Sequence, residues 1–251
     1  MTTDSAAVLR GVRALGPYFA VETGPVPPDG YRPLGALFAT GPGAPLAVRI
    51  GEVAGKLRTA EPRVAASITH LGLAARFWSV TLGMLAVGGL VPEFDAERVH
   101  WRQPADGPLD LWLPGSAAQP AGPAPAEDVH RAAIAGALAP LATAVQAVAS
   151  VADGLLAGNA ASALVGTVRQ MRRQLPAPDH RRVAAVAGEL LAREPLLGTL
   201  RGDSLRRNSC CLYYRIPGGG LCGDCVFDRA PGSAVSPGAG AGNISSHTLT
   251  R

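Results

Sequence analysis

The chain has 251 residues, 47% of them hydrophobic and 17% charged, with a net charge of +4. That length and apolar content can bury one large core or two small ones, and exclude an intrinsically disordered protein. Aromatic residues make up 5% and no nucleic-acid-binding motif is present, so the arginine-rich excess of positive charge is not that of a DNA or RNA binder.

Residues 3–20 predict an amphipathic helix, with Val8, Val12, Leu15 and Phe19 at helical spacing. The prolines between 25 and 33 break regular structure. The run Leu46–Ile50 reads either as a short strand or as the start of a helix through Leu57. From Arg63 to Ala86 the spacing of Ile68, Leu71, Ala75, Trp78 and Leu82 predicts a helix with those residues on its apolar face. Residues 99–102 and 109–113 alternate apolar and polar across a Pro/Asp/Gly turn and predict a hairpin.

Residues 114–126, rich in Pro, Ala, Gly and Ser, read as a flexible linker between an N-terminal α+β region (1–113) and a helical region (127–230). Helices are predicted over 127–151, over 153–175 with Asp153 as N-cap, and over 179–193. Residues 231–251 have the composition of a disordered tail. The expected fold is helix-dominated α+β, with a small antiparallel sheet in the N-terminal half and a helical C-terminal half ending in a cysteine cluster loop.

The first thirty residues lack the apolar core of an export signal, and the longest apolar stretch, near Val80–Val91, falls short of the ~20 residues of a membrane span. A cytoplasmic protein without an integral membrane segment is therefore expected. No G-x-G-x-x-G element or P-loop is present, so neither a dinucleotide nor a nucleoside triphosphate site is predicted.

All four cysteines, Cys210, Cys211, Cys222 and Cys225, fall in CCLYYRIPGGGLCGDC. Four thiolates suit a soft metal ion or an iron–sulfur cluster. Two disulfides, a structural zinc site and a dithiol redox couple compete with that reading. Adjacent side chains of an extended chain diverge, so Cys210 and Cys211 can serve one centre only if the backbone turns or the centre is broad. Leu212–Ile216 has strand character, and Pro217–Gly220 predicts a turn returning Cys222 toward Cys211. Asn159 could hydrogen-bond toward this loop, His70 could line a pocket, and Trp101 and Trp112 could stack on a ligand or pack in the core.

The pattern C-C-x10-C-x2-C within RRNSCCLYYRIPGGGLCGDC resembles the cysteine signature of the FhuF-like ferric siderophore reductases, and the helix GNAASALVGTVRQM resembles the one preceding it. The resemblance implies that Cys210, Cys211, Cys222 and Cys225 hold a 2Fe–2S cluster. It further implies a one-electron reductase of imported ferric siderophore, reloaded by an external donor such as ferredoxin or a flavoprotein. A zinc-stabilised adaptor, and an iron–sulfur electron carrier or redox sensor with a protein partner, are the alternatives. Between 169 and 215 ten arginines face four acids. Arg206, Arg207 and Arg215, closest in sequence to the thiolates, are the candidates to orient an anionic substrate or an acidic donor.

Overall fold

The computed structural model describes residues 5–41 and 43–231. Apart from Pro231, the expected disordered tail lies outside the described residues. In chain order the elements are α1 (Ser5–Ala14), β1 (Arg32–Pro33), α2 (Gly35–Phe38), α3 (Pro45–Leu57) and α4 (Pro62–Gly88), followed by β2 (Leu90–Pro92), β3 (His100–Arg102), β4 (Asp110–Trp112) and β5 (Ala118–Pro120). The second half contains α5 (Pro125–Val129), a π-helical turn (His130–Leu138), α6 (Ala139–Val148), α7 (Asp153–Met171) and α8 (Ala177–Leu191). It closes with the short strands β6 (Leu200–Arg201) and β7 (Arg206–Arg207) and a 3-10 turn at Tyr213–Arg215. The fold is helix-dominated α+β, as the sequence implies.

Helix α4 is the axis of the molecule. Pro62 opens it at a position where no N–H is needed, and Gly89 closes it in the left-handed region (φ 65°), its N–H bonding the Leu85 carbonyl. Helices α1, α3, α7 and α8 pack on it, α7 most extensively. Two helical segments, Pro62–Gly88 and Pro125–Val148, are long and apolar enough to cross a membrane by length and composition. The run Val80–Val91 by itself is shorter than either segment. Both are packed against other helices, and α4 is buried on nearly every side.

The apolar face assigned to α4 is correct only in its second half. Trp78 and Leu82 are fully buried, but Ile68, Leu71 and Ala75 are only partly so. The inward face near the start of the helix carries Ser67, Thr69, His70 and Arg76 instead. Arg76 donates to the carbonyls of Tyr18, Ala20 and Leu109, tying α4 to the segment after α1 and to the strand region. Burial lowers its pKa to about 10.

The hairpin forms with His100 opposite Trp112 and Arg102 opposite Asp110, and β1 adds to its other edge, giving the antiparallel order β1–β3–β4. Trp101 and Trp112 are each 4% exposed, so both are core residues and not stacking platforms. The ambiguous run at 46–50 is helical because Pro45 starts α3 at its first turn. Residues 114–126 carry β5, which pairs with β2 from Leu90↔Pro120 to Pro92↔Ala118. Ala117 and Ala126 are buried, and residues on both sides of the segment belong to one hydrophobic core.

Helix 127–151 has a distorted middle. Pro140 offers no N–H to the carbonyl four residues back, and its ring would crowd that carbonyl. The backbone preceding it widens into the π-helical turn 130–138 before α6 resumes.

Candidate metal centre

The cysteine loop is mounted on the β6–β7 hairpin and folded against the N-terminal parts of α4 and α7. Backbone bonds fix its base: Arg207 N–H donates to the Asp224 carbonyl at 3.0 Å and Asn208 N–H to the Thr199 carbonyl at 2.8 Å. Leu212–Ile216 is not a strand. Leu212 takes a left-handed conformation (φ 66°) and Tyr213–Arg215 form a 3-10 turn. This reversal replaces the extended geometry that would splay Cys210 and Cys211 apart. It also brings the Leu212 N–H to 3.3 Å from the Cys210 sulfur.

No disulfide is present. The Sγ atoms of Cys211 and Cys222 are 3.5 Å apart, far beyond the ~2.05 Å of an S–S bond. Two thiolates on one tetrahedral ion with metal–sulfur bonds of ~2.3 Å stand about 3.7 Å apart, so these two sulfurs already have the spacing of a shared ion. Among the described residues no three His, Cys, Asp or Glu side chains are grouped as ligands of a single ion. Cys211 and Cys225 are buried; Cys210 and Cys222 keep partial exposure.

The electrostatics of the sulfurs follow from their contacts. The hydrogen bond shared with Cys222 lowers Cys211 to about 6 against the opposing effect of burial, helped by the Tyr213 N–H and by Arg207. The same bond, together with burial, raises Cys222. Burial also raises Cys210, although the Leu212 N–H works the other way. The Phe227 N–H lies 3.4 Å from the Cys225 sulfur. Four soft donors, one pair of them at ligand spacing, and backbone N–H groups close to three of the sulfurs fit a metal-binding loop.

A buried polar chain supports the loop from behind. Ser67 Oγ donates to the Cys211 carbonyl at 2.8 Å; Asn159 Nδ2 donates to the Ser67 carbonyl and hydroxyl; Arg207 Nη1 donates to Asn159 Oδ1 at 2.5 Å. Arg207 Nε then reaches Asp224 at 3.0 Å. Burial opposes ionisation of Asp224, but hydrogen bonds from Ser162, Arg207 and Cys222 hold its pKa below the usual value. Asn159, a candidate from sequence, is fully buried here. Asp224 carries no sequence signal; for Ser67 the available pointer is the presence of unexplained polar residues, Ser67 and His70, on a long, largely apolar helix.

The three candidate arginines are all paired within the chain. Arg206 donates to the Cys225 and Phe227 carbonyls and to Asp228; Arg207, with no exposed surface, pairs with Asp224; Arg215 pairs with Glu61 at the start of α4. Each therefore clamps the cysteine loop, and each is offset by its own carboxylate. Glu61 is held below the ordinary carboxylate pKa, first by the Arg215 hydrogen bond. The lowered value means that the Glu61–Arg215 link contributes fully above the unfolded pKa of about 4.3 and is lost as pH falls through the folded value. A double-mutant cycle of Glu61→Gln and Arg215→Gln should show coupling at pH 7 that decays toward zero in acid; coupling that persists there would refute the ion pair.

Glycine is required at 219 by space. A Cβ there would stand 2.6 Å from the Tyr213 carbonyl oxygen and 3.1 Å from that of Ile216, both backbone atoms that cannot rotate away. Gly219→Ala should therefore cost about 1–3 kcal/mol of stability and weaken metal retention, measured by denaturant titration and metal content. Unchanged values for both would show that the loop can open without loss.

The fold and this site define a helix-dominated α+β protein with a four-cysteine loop near its C-terminus. The family model of the FhuF 2Fe-2S C-terminal domain matches residues 207–227, a segment that begins at Arg207 and includes all four cysteines and Asp224. The chain is thus similar to FhuF-like iron–sulfur proteins in this region. No curated protein matches the chain.

Proposed function

We propose that the chain is a cytoplasmic ferric siderophore reductase that holds a 2Fe–2S cluster on Cys210, Cys211, Cys222 and Cys225. The observation that carries this reading is the 3.5 Å approach of Cys211 and Cys222 within the segment matched by the FhuF domain. On that basis Cys211 and Cys222 would hold one iron, leaving Cys210 and Cys225 as ligands for the other. Bound there, the cluster would supply a one-electron couple, matched to the single electron between ferric and ferrous iron and recharged by a reduced ferredoxin or flavoprotein.

The protein's own groups set the conditions for that chemistry. N–H groups of Leu212, Tyr213 and Phe227 near the sulfurs disperse thiolate charge, which favours the reduced form of such a site. The Ser67–Asn159–Arg207–Asp224 chain fixes the loop, so little rearrangement accompanies a change of charge. Cys210 and Cys222 form the exposed edge through which an acceptor approaches. The hard oxygen donors of a siderophore hold ferrous iron more weakly than ferric, so reduction releases the metal.

A single zinc ion would need the same thiolates. The bound metal itself separates the two readings. The test is the metal content and spectrum of anaerobically purified protein, followed by single-turnover mixing of its reduced form with ferric siderophores. Iron with acid-labile sulfide, visible absorption and oxidation by the siderophore are expected. Stoichiometric zinc without iron would overturn the cluster, and oxidation no faster than background would overturn the reductase activity.

A further inference from the structure

The cysteine loop carries arginines on both flanks, and these arginines share too few carboxylates. On one flank Glu61 pairs with Arg215 at 2.8 Å and with Arg63 at 3.3 Å. Arg58, exposed at the end of α3, has a side chain without a hydrogen bond or ion pair among the described residues. On the other flank Asp228 is held below the ordinary carboxylate pKa first by its hydrogen bond from Arg206 and also by Arg201, which donates to the Val226 carbonyl. Arg229 follows, exposed and likewise without a side-chain partner among the described residues. Six arginines against two carboxylates leave a surplus of +4, which equals the net charge of the whole chain. The next cations outward are balanced, Lys56 by Asp106 at 3.7 Å, and Arg169, bound to the Ser204 carbonyl, by the adjoining Asp203.

The two flanks meet at a pair of rings. Tyr214, beside Arg215, and Phe227, beside Asp228, stand edge to face with centroids 5.6 Å apart, each half-buried. Tyr214 lies between Cys211 and Cys222, and Phe227 two residues past Cys225. The ring pair therefore joins the flanks across the segment that carries the partly exposed Cys210 and Cys222. Half-buried aromatic rings within a rim of arginine have the composition of a protein-binding surface. Small-molecule sites are concave, and none of the six arginines lines the cavity of about 700 Å³ that adjoins Ser209 or the one of about 410 Å³ between α4 and α7.

We propose that this surface docks an acidic one-electron donor protein, with Tyr214 and Phe227 at the centre of the contact and Arg58 and Arg229 attracting the partner from the two flanks. The proposal rests on the iron–sulfur reading of the loop and adds the surface through which the loop is recharged. It also moves the steering role to different arginines. Arg207 is buried, and Arg206 and Arg215 are engaged in holding the loop, whereas Arg58 and Arg229 hold nothing in the fold and can meet a partner's carboxylates. One electron leaves the reduced donor and enters at the cysteine loop, and no bond is made or broken. Charge complementarity of this kind raises the rate of encounter and fixes the orientation of the partner.

The test uses the full-length, metal-loaded protein and a strongly acidic flavodoxin as probe, both oxidised, so that complex formation is read by calorimetry without electron transfer. Saturable binding is expected at about 50 mM salt, weakened at least about tenfold at about 500 mM. Arg58→Gln combined with Arg229→Gln should weaken binding about tenfold at low salt and flatten the salt dependence, with the visible spectrum and thermal stability unchanged. Arg58→Glu combined with Arg229→Glu should weaken it further. Arg98→Gln, which removes an exposed arginine paired with Glu93 in the β2–β3 connection, should have no effect. The proposal fails if flavodoxin does not bind, if binding ignores both pairs of substitutions, or if a basic protein such as cytochrome c binds equally well. Tighter binding to phosphatidylglycerol vesicles than to flavodoxin would also overturn it, in favour of a membrane surface. Docking as expected, with no oxidation of the reduced protein by ferric siderophores, would overturn the reductase reading and leave the docking surface standing. Rapid oxidation by siderophores, with a flavodoxin affinity that ignores Arg58 and Arg229, would do the reverse.

Discussion

Cys222→Ser is expected to strip the centre of its metal while leaving the helical body folded. The serine hydroxyl is a hard, protonated donor in place of a soft thiolate, and it breaks the one sulfur pair that already stands at ligand spacing. Loss of an outer-shell partner alone costs about 10–100-fold in metal affinity, so loss of a ligand should cost at least that. Iron content and visible absorption should collapse while the far-ultraviolet circular dichroism is retained, because the core around α4 does not use Cys222. If Cys211 and Cys222 serve the same ion, Cys211→Ser should do the same, and the double variant should be no worse than either single one. Retention of full metal by either variant would show that the pairing is wrong.

The contrast between what the sequence discloses and what it conceals follows from the kind of force involved. The cysteine window, the hairpin and the long helices are legible because they depend on residue type and period. Three features are not. Strand β5 is held by backbone bonds to β2, and backbone bonding leaves no mark in a Pro/Ala/Gly composition. The inner face of α4 is hidden because Ser67, His70 and Arg76 are polar, and a periodicity search assigns polar residues to solvent; it therefore favoured Ile68, Leu71 and Ala75, which lie partly exposed. The Leu212–Ile216 turn is hidden because aromatic and β-branched residues favour strands locally, whereas the vicinal cysteines require a reversal. Polar residues on an otherwise apolar helix were the clue to the second and to the site itself, since burying them is tolerated only when something pairs with them.

Arg207 separates a structural role from a steering role most sharply. With no exposed surface, it holds the Asp224 side chain and the Asn159 amide, and its backbone N–H holds the Asp224 carbonyl. Arg207→Met removes the cation but leaves a carboxylate that is 16% exposed and an amide oxygen without its donor. Breaking a buried pair on one side costs about 3–5 kcal/mol, so the variant should unfold at markedly lower denaturant concentration and lose metal from the loop. Arg207→Met combined with Asp224→Leu should recover much of that stability, because no buried charge then remains unpaired. Arg206→Met should cost less, since its carboxylate partner Asp228 is 86% exposed and is rehydrated, leaving the hydrogen bonds to the Cys225 and Phe227 carbonyls as the loss. A residue that acted by attracting an anionic ligand would give the opposite pattern: near-normal stability, slower association and a weaker dependence on salt. Finding that pattern for Arg207→Met would refute the buried clamp and return the arginines to the substrate side of the site.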